Sequence, residues 1–173
     1  MERVGGRLVY RGPVFSVRLD TFQLEDGDTV ERQIAVHPGA AAIVAHDGQR
    51  LLLVRQPREA VGEDALPELP AGKLDDDETP LEAAKRELAE EIGREAEEWQ
   101  HLHSFYSSPG FTNEEIHLFL ATGLHEVESE PDEGERIEIV EVELDRLDPV
   151  IEDCRDAKTL VGLLRLREIL RER

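Results

Sequence analysis

The chain has one cysteine, one tryptophan and one methionine among 173 residues, and aromatic residues make up 5% of it. Cys154 alone cannot form an intrachain disulfide, so no covalent staple holds the fold. Its thiol reads as a small apolar helix residue, and the reducing cytoplasm is the expected compartment. Basic residues are scarce too: 20 Lys and Arg stand against 40 Asp and Glu, a formal charge of -20 at pH 7. Nucleic acids and anionic membranes are recognised through basic stripes, so neither is an expected partner. No run approaches the ~20 apolar residues that span a bilayer, and the opening MERVGGRLVYRG has no basic region leading into an apolar one. These absences predict a soluble single domain over residues 1–173, long enough to hold a core without disulfides.

Strand signals fill most of the chain. GRLVYRG, VFSVRLDTFQL and TVERQIAVH, with a hairpin turn at Glu25-Asp-Gly-Asp, predict an antiparallel platform over residues 1–36. More apolar surface lies there than one small platform needs, which predicts a two-fold homodimer. In residues 37–173, AAAIVA and LLLVRQ flank His46-Asp-Gly-Gln and read as strands buried on both faces. HLHSFYSS, IHLFLATG and RIEIVEVE continue the sheet, and residues 156 to 172 read as a helix with Leu160, Leu163, Leu166 and Leu170 inward. Trp99 reads as a packing anchor. Strands flanked by two amphipathic helices make an α/β/α sandwich with a mixed central sheet.

Residues 72–94, GKLDDDETPLEAAKRELAEEIGR, carry the chemistry. A loop is expected to open at Gly72 and pass Glu78 before a helix whose ends are both encoded. Thr79 stands at the N-cap, Pro80 at the first helical position and Glu82 three residues after the cap, while Gly93 supplies the left-handed stop. Leu81, Ala84, Leu88 and Ile92 form its apolar stripe, and Glu87, Glu90 and Glu91 lie together on the adjoining flank. Like charges at i and i+4 cost ~0.2–0.5 kcal/mol per pair, so Glu87 and Glu91 are unfavourable neighbours unless a cation lies between them. Magnesium, or manganese in its place, accepts such oxygen donors together with waters and substrate phosphates. Arg86 is expected to steady the acids through ion pairs. An acidic helix face is usually just a solvated one; the full spacing points instead to metal-dependent cleavage of a diphosphate.

That spacing resembles the Nudix hydrolases, whose pattern G-x5-E-x7-R-E-U-x-E-E-x-G-U, with U a bulky apolar residue, is matched by Gly72, Glu78, Arg86, Glu87, Leu88, Glu90, Glu91 and Gly93. Arg94 at the closing apolar position is the departure, and it lies beyond the helix. The resemblance implies the same α/β/α sandwich and assigns Glu87, Glu90 and Glu91 to the metal. Pro109, sixteen residues after Gly93 in SSPGFTNEE, resembles the mark of the ADP-ribose pyrophosphatase subgroup. Val54-Arg-Gln-Pro-Arg and Pro67-Glu-Leu-Pro-Ala-Gly are similar to that subgroup's strand and loop before the box.

The subgroup resemblance assigns further roles. Arg58 approaches the phosphates, Glu68 contacts substrate and the carbonyl of Ala71 is a backbone metal ligand. Phe15 and Arg32 on the N-terminal strands are candidates to reach into a partner's site and hold adenine, and Glu114 is an acid within reach of substrate. The base that takes the proton of the attacking water is expected in Glu130-Pro-Asp-Glu-Gly-Glu-Arg, with Glu135 first and Glu133 second; Glu90 is a further candidate. The activity implied is hydrolysis of ADP-ribose to AMP and ribose 5-phosphate. Alternatives are the same chemistry on another nucleotide sugar such as GDP-mannose, or on a dinucleotide. A non-catalytic nucleotide sensor has no need of all three glutamates, and an acidic metal buffer leaves Arg58 and the Pro109 loop unexplained.

Overall fold

The structure, a computed structural model, describes residues 1–128 and 136–172. Two sheets organise it. Strands β1 (Glu2–Arg11), β2 (Ser16–Gln23) and β3 (Thr29–Val36) form an antiparallel meander. The β2–β3 turn lies where the Glu25-Asp-Gly-Asp signal predicts it, with Gly27 at φ 92° and its N–H donating to the Leu24 carbonyl. The second sheet contains β4 (Ala40–His46), β5 (Arg50–Arg58), β6 (Glu63–Glu68), β7 (Ala71–Lys73), β8 (Arg94–Tyr106), β9 (Glu115–Glu126) and β10 (Glu138–Glu143). Its principal order is β10-β5-β4-β9-β8, and β4 runs parallel to β9 while the other pairs are antiparallel. This is the mixed sheet that the strand pattern implies.

β4 shows why both faces are covered. Ala41, Ile43 and Ala45 face one way, and Ala42 and Val44 the other, all with no exposed surface. The first set packs with Leu52, Val54, Phe119 and Ala121 under helix α1 (Pro80–Ile92), which contributes Ala83, Ala84, Leu88 and Ile92. The second packs with Leu51, Leu53, Leu118 and Leu120 under α2 (Leu147–Asp153) and α3 (Ala157–Arg171). Trp99 packs against the first cluster, edge-on to Phe119, as a structural anchor.

Three details depart from the pattern-based expectation. β8 begins at Arg94, directly after the helix stop, because the run Glu95-Ala96-Glu97-Glu98 belongs to an edge strand whose charged side chains face solvent. The short helix α2 has no sequence counterpart in the expected order. The inward face of α3 is centred on Thr159, Gly162, Leu163 and Leu166, with Leu160 only half-buried. Gly162 permits that close packing: a Cβ there would stand 2.4 Å from Leu69 Cδ1 and 3.1 Å from Val44 Cγ2.

The strands that frame the site diverge. β4 and β5 pair only at Ala45–Leu52 and His46–Leu51; farther along, β6 pairs with β5 and β7 with β4. The turn at residues 68–71 therefore lies in the fork, with the Pro70 carbonyl accepting from Ile43 N–H at 2.9 Å. The small sheet is tied to the large one through the β8–β9 loop: Ala35 N–H donates to the Phe111 carbonyl at 2.8 Å, and His37 N–H to Asn113 Oδ1 at 2.9 Å. Among the described residues no helix is long and apolar enough to cross a membrane. Leu88 is wholly buried between α1 and the sheet. Leu88→Ala is therefore expected to lower unfolding free energy by about 2–5 kcal/mol in equilibrium denaturation.

Candidate active site

Helix α1 is held at both ends as its sequence specifies. Thr79 Oγ1 accepts from Glu82 N–H while Glu82 Oε2 accepts from Thr79 N–H at 2.8 Å, and Gly93 closes the helix at φ 59°. The rotation so fixed turns Glu87 and Glu91 into the edge of the core, where both are buried. Burial of two carboxylates one turn apart demands donors. Glu91 Oε2 accepts from Ala71 N–H at 2.9 Å. Glu87 occupies the space above Gly72, where a Cβ would stand 1.8 Å from Glu87 Oε1. Gly72 thus lies on strand β7 rather than at the opening of a loop, and it is required for the close approach of a carboxylate.

Arg86 ties the cluster together and offsets part of its charge. Its Nε and Nη2 each donate to Glu78 at 2.9 Å, and Nη1 donates to Glu87 at 2.7 Å and Glu90 at 3.0 Å. Nη2 also reaches the Lys73 carbonyl at 3.1 Å, stitching the loop to the helix. Hydrogen bonding to Glu78, reinforced by Glu87 and Glu90 against the opposing effect of burial, holds the guanidinium far above its ordinary pKa. The same contact holds the Glu78 carboxyl below its ordinary value. Arg86 is a permanent cation here.

The resulting cleft has a volume of about 280 Å³ and is lined by Ala71, Gly72, Lys73, Asp75, Arg86, Glu87, Glu90 and Glu91. Its donors are carboxylate and backbone oxygens, the chemistry that suits a hard divalent cation, and glycine makes room for one of the carboxylates. Among the described residues no group of three or more His, Cys, Asp or Glu side chains stands in a ready metal-binding arrangement. Arg86 engages Glu87 and Glu90, and the Ala71 amide engages Glu91. The residue types and the cradle fit a divalent cation that would compete with Arg86 for these oxygens.

Beside this cleft, Glu68 at the end of β6 is 1% exposed. Arg58 grips it with both ends of the carboxylate, Nε to Oε1 at 2.6 Å and Nη2 to Oε2 at 2.9 Å. Lys158 on α3, which the sequence pattern did not single out, donates to the same Oε2. Burial alone pushes the Glu68 carboxyl up; Arg58 and Lys158 outweigh it and leave the pKa below its ordinary value. The hydrogen bond to Glu68 raises the Arg58 pKa against burial, with added attraction from Glu68, Glu91 and Asp156.

The remaining candidates are spread more widely. Phe15, 44% exposed, lines a second cleft of about 400 Å³ with Arg11, and that cleft shares Lys73 and Asp75 with the carboxylate cleft of its own chain. Arg32 lies exposed on β3 opposite Asp20, and Pro109 is exposed in the β8–β9 loop. Glu114 stands 3.7 Å from His37. None of Arg32, Pro109 and Glu114 lines either cleft. Glu133 and Glu135 lie outside the described residues.

The NUDIX domain profile matches residues 35–160, a span that contains the whole cleft and the Arg58–Glu68 pair. The chain belongs to the Nudix family. It is 38% identical over 172 residues to the methanol dehydrogenase activator of Bacillus methanolicus, covering 95% of this chain and 92% of that protein. It is 37% identical over 169 residues to the ADP-ribose pyrophosphatase of Bacillus subtilis (strain 168), covering 94% and 91%. A crystal structure of an ADP compounds hydrolase superposes with a TM-score of 0.87 at 24% identity, covering 99% of this chain and 94% of that one, which establishes a shared fold.

In this Nudix chain Gly72→Ala should expel Glu87 from its cradle without unfolding the sheet. The expected outcome is a ~10–100-fold loss of divalent-cation affinity by calorimetry, with an unchanged circular dichroism spectrum.

Proposed function

We propose that this Nudix hydrolase cleaves the diphosphate of ADP-ribose, giving AMP and ribose 5-phosphate, with magnesium as its metal and manganese able to replace it. The observation that carries the reading is the convergence of Glu87, Glu90 and Glu91 on the Ala71–Gly72 strand beside a half-exposed Arg58. The near full-length similarity to an ADP-ribose pyrophosphatase supports the choice of substrate.

The three glutamates and the Ala71 carbonyl would hold the cation, which supplies positive charge at the diphosphate and acidifies an attacking water. Arg58 contributes a guanidinium whose Nη1 and outer Nη2 hydrogen are not used by Glu68, leaving a fork suited to a phosphate. Arg86 keeps Glu87 and Glu90 aligned and holds the Glu78 loop against the helix. Water oxygen bonds to phosphorus as the bridging P–O bond breaks. Its proton goes to Glu135, or to Glu133, in our assignment of the base, with Glu90 as the candidate inside the cleft. Phe15 and Arg32 are proposed adenine contacts, and Pro109 and Glu114 lie on the loop that we assign to the substrate's side of the fold.

Comparison of kcat/KM for ADP-ribose, GDP-mannose, NADH, FAD and diadenosine polyphosphates with magnesium tests the substrate. ADP-ribose is expected to lead, and a clear preference for GDP-mannose would replace it. Glu91→Gln is expected to lose at least ~1000-fold in kcat, about 4 kcal/mol, and to weaken magnesium binding with the fold retained. Glu135→Gln should lower kcat while leaving magnesium affinity unchanged; if Glu133→Gln does so instead, the base is Glu133.

We also assign the N-terminal sheet to a two-fold dimer and the chain to the cytoplasm. Val4, Leu8, Val9, Tyr10, Val14 and Phe15 leave 44–57% of their surface uncovered, an apolar area that a second copy would bury. Light scattering at micromolar concentration should give twice the 19.5 kDa chain mass, and the chain mass alone would refute the dimer.

A further inference from the structure

Lys158 occupies the first turn of α3, where a positive charge opposes the helix dipole and helix building gives no reason for it. Its surroundings give one. The ammonium bridges two carboxylates, Glu68 and Asp156, the latter at 3.0 Å, and the side chain is 14% exposed. Asp156 caps the helix: its Oδ2 accepts from Thr159 N–H at 3.0 Å and from Thr159 Oγ1 at 2.6 Å. Thr159 Oγ1 in turn accepts from Leu69 N–H at 2.8 Å. The helix start is thereby bolted to the turn that carries Glu68, and the position of the ammonium follows from both.

Two carboxylates and two cations, Arg58 and Lys158, make this unit neutral. Glu68 Oε2 is shared, taking one hydrogen bond from each cation. Were Lys158 absent, Arg58 would be the only cation beside two acids, and its charge would be spent on Glu68 rather than shown to a substrate. We propose that Lys158 is a positioning residue for Arg58: by sharing Glu68 it keeps the guanidinium aimed and leaves its charge available to the phosphate of a bound diphosphate. This rests on the diphosphate-hydrolysis reading above, and it assigns part of substrate affinity to the C-terminal helix. Lys158 does not touch the reacting atoms.

The test is a double-mutant cycle on the full chain, run with the diphosphate that the wild type cleaves best. Lys158→Met, which keeps the stem and removes the charge, is expected to raise KM about tenfold or more while kcat changes less than about threefold. Lys158→Arg should return KM to within about threefold of wild type. Arg58→Ala combined with Lys158→Met should be no worse than Arg58→Ala alone, because the lysine acts through the arginine. Affinity for the non-hydrolysable α,β-methylene analogue of ADP-ribose, measured by calorimetry in EDTA, should fall in parallel with the rise in KM. Lys158→Gln serves where the methionine variant does not fold. An unchanged KM in Lys158→Met, a loss confined to kcat, or additive losses in the double variant would each overturn the inference. Failure of the wild type on ADP-ribose would instead count against the substrate reading alone, since the cycle compares variants with one another.

Discussion

The structure depends on how one helix buries carboxylates at the edge of an apolar core. Glu87 and Glu91 sit beside Leu88 and Ile92 on α1, so packing the apolar stripe drags the acids out of water with it. Desolvating two such groups without partners would cost several kcal/mol each. Four features prevent that: the Ala71 amide, the absence of a side chain at Gly72, the Arg86 guanidinium and the capping that fixes the helix rotation. Gly72 and Arg86 belong to the spacing by which the family is recognised, whereas Ala71 and the N-terminal cap lie outside it. The motif is a packing solution as well as the carboxylate cluster that we assign to the metal.

That coupling explains what was legible in the sequence. The helix ends were readable because capping is local chemistry: Thr79, Pro80, Glu82 and Gly93 act within a few residues of themselves. The burial of β4 on both faces and the turns at Gly27 and Gly48 were readable for the same reason. Gly72 reads in sequence as the opening of a loop, because its actual constraint, the Glu87 carboxylate, lies fifteen residues later. Lys158 left no trace in the pattern, because its meaning depends on Glu68, ninety residues before it in the chain and adjacent only through the fold. The start of β8 was masked by its own charges, which belong on an edge strand and resemble a loop in composition.

The chain's acidity is unevenly distributed. Residues 1–36 hold Arg3, Arg7, Arg11, Arg18 and Arg32 against six acids, so nearly all of the formal charge of -20 falls in residues 37–173. Asp20, the one buried acid of the small sheet, is clasped by Arg3 and Arg18. Beside the cleft the fixed cations Arg58, Lys73, Arg86 and Lys158 each stand against a carboxylate and offset the acidic charge locally.

The two arms of the site are held at one separation by a turn that has almost no freedom. Glu68 begins it and carries Arg58; Ala71 ends it and carries Glu91. Between them Leu69 is 1% exposed with its N–H committed to Thr159, and the Pro70 carbonyl is committed to Ile43 in β4. Moving the guanidinium relative to the carboxylates would require breaking these buried hydrogen bonds, each expensive to leave unmade. In the proposed reading a diphosphate would bridge Arg58 and a cation held by the glutamates across that fixed interval, and groups already in place would need no reorganisation as charge develops. The splaying of β4 from β5 makes the interval possible, since a fully paired sheet would leave no room for the turn.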